Sequence, residues 1–191
     1  MSENKNRLLY ILKYLWEYTD EEHQVTTNQL IDILQKEYGI SVHRSTLAKD
    51  LSELQDFGID VVTVHSTQCK YFIGNRTFEL PELKLLIDAV ESSKFITAKK
   101  SDELIKKIHS LASKGEVSKL KRNNYVAGRI KPDNEQIYYI VDTINDAINQ
   151  EKQIVFTYYE YDSSKRKVLK NDGEVYIISP YHLVWNNDFY Y

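Results

Sequence analysis

The sequence contains few of the residue types on which several classes of protein depend. Cys69 is the one cysteine among 191 residues, so an intramolecular disulfide is excluded and a reducing cytoplasm is the expected location. No apolar run approaches the roughly 20 residues needed to cross a bilayer. The first residues also lack the apolar core of a signal peptide. We therefore expect a soluble cytoplasmic protein that has no membrane partner.

Signatures of catalysis and metal binding are missing as well. The six glycines form neither a phosphate-binding loop nor a dinucleotide fingerprint, and the sequence contains no nucleophile elbow. A single cysteine excludes thiolate metal sites, and the histidines show no paired ligand spacing. They stand at positions 23, 43, 65, 109 and 182. We expect no enzyme activity, no cofactor and no metal.

An overall excess of positive charge is also lacking. The formal net charge is -3, and 42% hydrophobic with 28% charged residues is typical of globular material in one large or two small domains. Residues 1–79 hold 8 Lys and Arg against 12 Asp and Glu, whereas residues 94–131 hold 11 against 3. The basic segment is either a solvated face of connecting helices or an extra contact to phosphates of DNA or of a nucleotide.

The pattern over residues 1–79 predicts three helices followed by a hairpin. Apolar residues at helical spacing predict a first helix over about Lys5–Tyr18. Thr26 and Gln29 form a capping box that begins a second helix, and Gly39 suits the left-handed cap that ends it. A third helix over His43–Phe57 precedes two β-branched strands. Those strands are predicted over Ile59–Val64 and Lys70–Ile73, with a short turn between them. The order predicts a winged helix-turn-helix, which is a DNA-binding domain.

The third helix carries the candidate contacts to DNA. It turns Leu47, Leu51 and Leu54 inward, so the polar side faces outward, as insertion into a major groove requires. Arg76, beside the hairpin, is a further cation in reach of phosphates. The candidates for contact with double-stranded DNA are Thr26 and Thr27 at the start of the second helix, Arg44, Ser45, Thr46 and Lys49 on the third, and Lys70 in the hairpin.

Residues 80–132 are predicted to form a helical linker and dimerisation region. Pro81 suits the first position of a helix, and Ser101 is placed to cap the next one. A new domain over residues 133–191 begins with Asp133 and Gln136 as an N-cap pair, followed by an apolar helical stripe.

After Lys152 the pattern changes to strands. They are predicted over Gln153–Tyr161, Glu174–Ser179 and His182–Trp185, followed by a tight turn at 186–188 and a return strand at 189–191. The residues from Gln153 onward are too few to close a barrel. An aromatic strand end would leave an apolar edge exposed, so we expect a truncated chain or a proteolytic fragment, or an edge completed by a second copy.

Two separated segments resemble the bacterial WYL-domain transcriptional regulators. Residues 42–51 (Val-His-Arg-Ser-Thr-Leu-Ala-Lys-Asp-Leu) are similar to the recognition helix of the family's DeoR-like head, in which His43 replaces a common capping Ser and Ser41 is the alternative cap. Residues 178–184 (Ile-Ser-Pro-Tyr-His-Leu-Val) are similar to the strand before the WYL motif. Tyr190 and Tyr191 fall where the motif's Trp and Tyr stand, so Tyr replaces Trp, and the motif's Leu lies beyond the chain end.

The resemblance implies an α+β protein that acts as a homodimeric transcriptional regulator, with repression the favoured sign. Its C-terminal domain would be part of an Sm-like β-barrel that senses a nucleotide or nucleic acid, because aromatic faces stack bases and cations meet phosphates. Candidate ligand contacts are Tyr159, Tyr181, His182 and Tyr190, for which a place in the barrel core is the alternative. His182 is favoured among them because a buried histidine usually needs a polar partner.

Two other functions remain open at this level. The winged helix could serve protein interaction without reading DNA, which the acidic balance of residues 1–79 favours. It could also be the regulatory module of an enzyme, which the missing glycine-rich loop disfavours. A route from effector to DNA would run through the helices at 81–121, where a change in dimer geometry alters the spacing of two heads.

Overall fold

The computed structural model describes residues 2–122, 131, 132, 134, 136–187 and 189–191. It combines helices with small sheets, as the sequence predicts. The chain divides into two compact units. The first comprises Met1–Glu91 with Asp102–Ala127, and the second comprises Ser92–Ser101 with Gly128–Tyr191. The predicted boundaries at residues 79 and 132 stay predictions.

The first unit begins with three helices and a three-stranded antiparallel sheet in the order β1-β3-β2. The elements are α1 (Ser2–Tyr18), β1 (Val25–Thr26), α2 (Thr27–Tyr38), α3 (Arg44–Asp56), β2 (Val61–Val64) and β3 (Lys70–Ile73). The two-residue strand β1 was not predicted because it is too short to show alternation. Its pairing of Val25 with Tyr71 and of Thr26 with Lys70 joins the start of α2 to the hairpin.

Both ends of α2 follow the predicted chemistry. The Thr26 hydroxyl accepts from the Gln29 amide, and the Gln29 side chain accepts from the Thr26 amide at 2.8 Å, which completes the capping box. Gly39 lies at φ 67°, in the left-handed region, and its amide bonds back to the last turn. This conformation strains any residue that carries a Cβ atom. The α2 bounds are therefore set by local chemistry.

The start of α3 differs from both suggested caps. His43 is the N-cap residue at φ -85° and ψ 152°, but its side chain makes no capping bond, and Ser41 lies outside the helix. The helix buries Leu47, Leu51 and Leu54 as predicted. These leucines join one core with residues of α1, α2 and the sheet. The other members are Ile11, Leu15, Val25, Leu30, Leu34, Val42, Val61, Tyr71 and Ile73.

The next helices along the chain are α4 (Leu80–Ser92), α5 (Ala98–His109) and α6 (Lys114–Arg122). Leu83, Ile87, Ala112 and Leu120 form a second, smaller core. Pro81 stands at the second rather than the first helical position. The prediction that Ser101 caps α5 is wrong, because Thr97 caps it with a hydroxyl that accepts from the Lys100 amide at 3.2 Å. Ser101 lies buried inside the helix.

The second unit contains α7 (Gln136–Asn149) and six short strands. They are β4 (Ile154–Phe156), β5 (Tyr159–Tyr161), β6 (Lys167–Leu169), β7 (Tyr176–Ile178), β8 (Trp185–Asn186) and β9 (Phe189–Tyr190). They pair in twos, antiparallel, as β4–β7, β5–β6 and β8–β9. The described residues form no closed barrel. The predicted cap Asp133 and the turn residue Asp188 lie outside the described residues.

Two strand predictions for this unit need correction, and one strand was missed. The single strand predicted over Gln153–Tyr161 breaks at Thr157 and Tyr158, because its two halves pair with different partners. Strand β6 was missed, since three residues are too few for a periodic signal. The strand predicted over His182–Trp185 starts at Trp185, although backbone bonds between Val184 and Tyr191 extend its pairing. The predicted return strand is present as β9, and Asn187 takes a positive φ of 50° in the turn.

Candidate nucleic-acid interface

The N-terminal half of α3 presents a polar, cationic surface. Arg44, Ser45 and Lys49 are exposed, and Thr46 is half-buried. The opposite side of the helix is fixed in the core by its three leucines. Because these two sides cannot exchange without exposing the leucines, the orientation of the four predicted contact residues is determined by burial. We call Arg44, Ser45 and Lys49 the α3 outer face.

Arg44 also connects the α3 outer face to α2. Its Nη2 atom donates to the Asn28 side-chain oxygen at 2.8 Å, and both residues are exposed. Asn28 stands in the first turn of α2, so the bond brings the beginnings of the two helices together. A guanidinium has five donors, and one bond to Asn28 leaves donors for a further acceptor.

Lys49 is paired only loosely. Its ammonium lies 3.9 Å from a Glu53 carboxylate oxygen, and the two side chains are 78% and 51% exposed. An exposed pair at this distance contributes little to stability and is screened by salt. Lys49 can therefore exchange Glu53 for a phosphate or a base at small cost.

Thr26 and Thr27 have structural roles that compete with a direct contact. The Thr26 hydroxyl is used in the capping box of α2. The Thr27 amide donates to the Cys69 carbonyl oxygen at 3.2 Å, and its hydroxyl lies 3.3 Å from the Tyr71 hydroxyl. Both side chains are half-buried.

Lys70 lies in β3, the central strand, between Val64 of β2 and Thr26 of β1. Its side chain is half-buried. The register places it directly beside the start of α2, so Thr26, Thr27 and Lys70 are brought together as one group. Helix N-termini attract anions through their free amides and the helix dipole, and a neighbouring lysine adds to that field.

Arg76 does not serve as the surface cation that its position near the hairpin suggested. Its side chain is 4% exposed. The guanidinium donates to the carbonyl oxygens of Trp16 at 2.8 Å and Thr19 at 2.9 Å, and lies 3.4 Å from a Glu116 carboxylate oxygen. Burial lowers the pKa of Arg76, and the charges of Glu116 and Asp20 oppose that shift. This arginine stabilises the fold of the first unit.

The sequence interpretation missed a buried ion pair behind the α3 outer face. Arg7 of α1 donates to the two carboxylate oxygens of Asp50, from Nε at 2.6 Å and from Nη2 at 2.8 Å. The side chains are 11% and 7% exposed. The signal was available, because Asp50 stands at helical spacing between Leu47 and Leu54, inside the apolar stripe of α3. An acid at such a position needs a buried partner.

The predicted ligand contacts of the second unit do not form one group. Tyr181 is 80% exposed, Tyr159 is 48% exposed, and His182 is exposed as well, so the argument from burial that favoured His182 is wrong. Tyr190 packs against Phe95 and Trp185, with ring centroids 5.2 and 4.8 Å away.

Tyr190 also lines a cavity of about 390 Å³ beside α7, together with Phe95, Tyr138, Val141, Asp142, Asn145 and Leu183. Of the four predicted ligand contacts, Tyr190 alone lines it. The cavity combines aromatic rings with a carboxylate and an amide on one helix, which suits a planar ligand with polar edges.

A cationic, aromatic hairpin is present in the same unit. The Lys167 ammonium lies over the Tyr159 ring, 4.2 Å from its centroid, and the Lys170 ammonium lies 5.4 Å from that of Tyr158. Lysines held beside tyrosine faces place positive charge next to stacking surfaces, a combination that single-stranded nucleic acids bind. Tyr159 belongs to this hairpin.

The sequence comparisons identify one domain. A family model for the WYL domain matches residues 139–191, which begin inside α7 and include all six strands of the second unit. No curated protein and no solved structure matches the chain. Among the described residues, no group of three or more His, Cys, Asp or Glu is arranged to hold a metal ion. None of the described helices is long and apolar enough to cross a membrane.

Proposed function

We propose that this protein is a DNA-binding transcriptional regulator, and that α1 to α3 with their three-stranded sheet form a winged helix-turn-helix. The WYL domain supports this proposal, because such domains are typical of transcriptional regulators. The element order supports it too, since two consecutive helices followed by a β-hairpin is the arrangement by which such domains place α3 in the major groove.

The observation that carries the proposal is the α3 outer face. Arg44, Ser45 and Lys49 are exposed at the N-terminal half of a helix whose other side is fixed in the core. Residues at the N-terminal part of a recognition helix are those that contact base edges. In this interpretation Arg44 reads a base, and Thr26, Thr27 and Lys70 together lie against neighbouring phosphates.

The acidic balance of residues 1–79 sets the expected affinity. The C-terminal half of α3 carries Glu53 and Asp56, both exposed, and they repel phosphates that approach that end. Because the field of a charge is screened within about 10 Å at physiological salt, the local cations of the α3 outer face matter more than the total charge. We expect modest affinity from one copy and strong salt dependence, so the protein acts as a homodimer on a pseudopalindrome.

The WYL domain is proposed to sense a nucleotide or a nucleic acid. Its Lys167 and Lys170 lie against tyrosine rings, and the cavity beside α7 offers rings with polar groups. Repression is the favoured sign of regulation. Effector binding would alter the affinity of the DNA-binding head.

The direct test is a DNA-binding titration of the full chain against the region upstream of its own coding sequence, at several salt concentrations. Arg44→Ala should weaken binding by about 1–3 kcal/mol if the arginine contacts a base. Lys36→Ala is the matched control, because Lys36 is an exposed cation in the last turn of α2 and its loss changes the net charge equally.

Three results would count against the proposal. Wild-type protein could show no preference for any upstream sequence. Arg44→Ala and Lys36→Ala could weaken binding equally, which would mean that only net charge matters. A binding constant that does not change with salt concentration would show that the protein makes no phosphate contacts. Any of these would favour a protein-interaction module, for which the acidic balance of residues 1–79 is the supporting observation.

A further inference from the structure

The loop between α1 and β1 holds the beginning of α6 through a buried carboxylate. Asp20 lies in this loop and is 6% exposed. Its Oδ2 atom accepts from the Ser113 hydroxyl, and Ser113 is completely buried at the start of α6. A carboxylate at this position also meets the positive end of the α6 dipole. The contact joins residues 93 positions apart in the chain.

The Asp20 carboxylate is held from its own loop as well. It accepts from the amides of Glu22 at 3.0 Å and His23 at 2.9 Å, and the His23 ring Nδ1 lies 2.8 Å away. The carboxylate is therefore surrounded by donors that fix its orientation. Ser113 and Glu116 complete the arrangement with a capping box, because the Ser113 amide donates to Glu116 at 2.8 Å and the Glu116 amide to the Ser113 hydroxyl at 3.0 Å.

Gly115 allows α6 to approach this loop closely. A Cβ atom at position 115 would stand 2.8 Å from the Asp20 Oδ2 atom and would overlap the His23 ring. These distances are shorter than van der Waals contact, so any larger residue must displace the His23 ring and the Asp20 carboxylate. A glycine in a helix costs about 1 kcal/mol relative to alanine, and here the close contact accounts for it.

A second group of bonds fixes the other side of the same contact. Arg76 is buried between Glu116 of α6 and the carbonyl oxygens of Trp16 and Thr19 at the end of α1. The Thr19 hydroxyl accepts from the Ile73 amide at 3.2 Å. The end of α1, the end of β3 and the start of α6 are thus tied together. We call Asp20, His23, Arg76, Ser113, Gly115 and Glu116 the α6 anchor.

The exposed pairs around the α6 anchor add little to it. Lys114 lies near Glu17 at 3.7 Å, and Lys119 near Glu22 at 2.6 Å, with side chains 40–63% exposed. Exposed pairs of this kind contribute little and are screened by salt. The angle between α6 and α1 is therefore set by the buried groups of the α6 anchor.

We propose that Asp20 is a positioning residue for DNA recognition. It holds α6 at one angle on the DNA-binding head, and the chain beyond α6 leads into the WYL domain. In the homodimer this angle sets the spacing between two α3 outer faces, which must match the spacing of two half-sites. The inference rests on the proposed function and adds the residues by which the rest of the chain controls the head.

The test compares one half-site with the complete pseudopalindrome. Both DNAs come from the sequence that the wild-type chain selects, and binding is measured with Asp20→Asn, which keeps the side-chain shape and removes the charge. We expect half-site affinity to change less than about twofold. The extra affinity for the complete site should fall by about tenfold or more, because a linked second contact can contribute 10²–10⁴-fold. A purely structural role would not change this ratio.

Ser118→Ala is the matched control, since Ser118 also lies on α6 but bonds its own helix, at the Lys114 carbonyl. Gly115→Ala is the second variant, because it keeps every bonding group, favours the helix and forces the Asp20 carboxylate out of its position. If the Asp20→Asn protein does not fold, the ratio measured with Gly115→Ala decides the test. The same ratio in Gly115→Ala and wild type would overturn the inference.

The outcomes also separate this inference from the proposed function. If the wild-type chain binds neither the half-site nor the complete site selectively, that result contradicts the proposed function itself. Wild-type chain that binds the half-site but gains nothing from the complete site leaves DNA binding intact and overturns the positioning role. A lower ratio in both Asp20→Asn and Gly115→Ala, with Ser118→Ala unchanged, supports it.

Discussion

The ion pair between Arg7 and Asp50 stabilises the contact between α1 and α3 in the first unit. Removing one partner leaves a buried charge without compensation, which typically costs 3–5 kcal/mol. We therefore expect Asp50→Ala to lower the free energy of unfolding by about that amount, measured by urea denaturation with circular dichroism. Asp56→Ala is the control, because Asp56 is exposed on the same helix. Equal losses in the two variants would contradict the role assigned to the pair.

The His109 imidazole gives the first unit a dependence on pH. Its Nε2 atom is buried without a hydrogen-bond partner among the described residues. Burial, with a smaller effect from the charge of Lys121, lowers the pKa of His109 below its ordinary 6.5. The unfolded chain therefore takes up this proton at a higher pH than the folded chain does.

Stability should accordingly fall as the pH drops below about 6.5, and the loss should be complete only below the folded pKa. His109→Gln should remove part of this decline, since glutamine does not titrate. Unfolding free energies measured from pH 7.5 to pH 5 for the two proteins provide the check. A wild-type curve that is flat over this range, or identical in the variant, would count against the assignment.

Asp20 belongs to the opposite class of titrating group. Burial alone would raise the pKa of Asp20, but hydrogen bonds from Ser113 and His23 outweigh that effect and lower it below 3.8. The stability that it contributes is complete above about pH 4 and is lost as the pH falls through the folded value. The Asp20 carboxylate is therefore charged at neutral pH.

At the scale of elements, the end of α2 depends on one backbone conformation. Gly39 has a φ of 67°, and a Cβ atom added at this position would meet no other atom within 4 Å. The cost of substitution is therefore conformational and not steric. Gly39→Ala should lower the free energy of unfolding by about 1 kcal/mol, and Gly39→Asn by less, because asparagine tolerates this region. Thermal unfolding of the three proteins gives the order, and equal midpoints would contradict the assignment.

Elements with local signals could be predicted from the sequence. The capping box at Thr26, the glycine at position 39 and the leucine spacing in α3 each act within one turn, so they are visible in the order of residues. The α5 cap was misjudged because both Thr97 and Ser101 are residue types that suit an N-cap. Only the backbone conformation of the folded chain shows that the helix begins after Thr97. Strand β1 depends on β3, a partner far along the chain, and β6 is too short to give a periodic signal.

The candidate site divides in the same way. The exposure of Arg44 and Lys49 follows from helical periodicity, and the structure agrees with it. The burial of Arg76 and the pairing of Arg7 with Asp50 depend on how α1, α3 and α6 pack. Nothing in the residues next to Arg76 indicates that it turns inward. The sequence therefore predicted the exposed polar residues of the first unit better than its buried polar residues.

At the scale of the whole molecule, the second unit exposes much apolar surface. Val155 and Ile177 are directly paired across β4 and β7 and are 61% and 60% exposed. Contiguous exposed apolar patches promote association. We expect the chain to self-associate with rising concentration, and Val155→Lys to reduce this, measured by sedimentation. Ser163→Lys, in the exposed turn between β5 and β6, makes the same change in charge outside the patch, and an equal reduction in both variants would argue against the patch.

The short strand β1 has a consequence for how the gene can change. Thr26 is at once the last residue of β1, paired with Lys70, and the N-cap of α2, so the sheet and the helix meet without a single spare residue. An insertion there would rotate α2 by about 100° for each added residue, whereas the exposed turn at 65–68 can change in length. Length variation among descendants of this sequence should therefore accumulate in that turn and be purged at the Thr26–Thr27 junction.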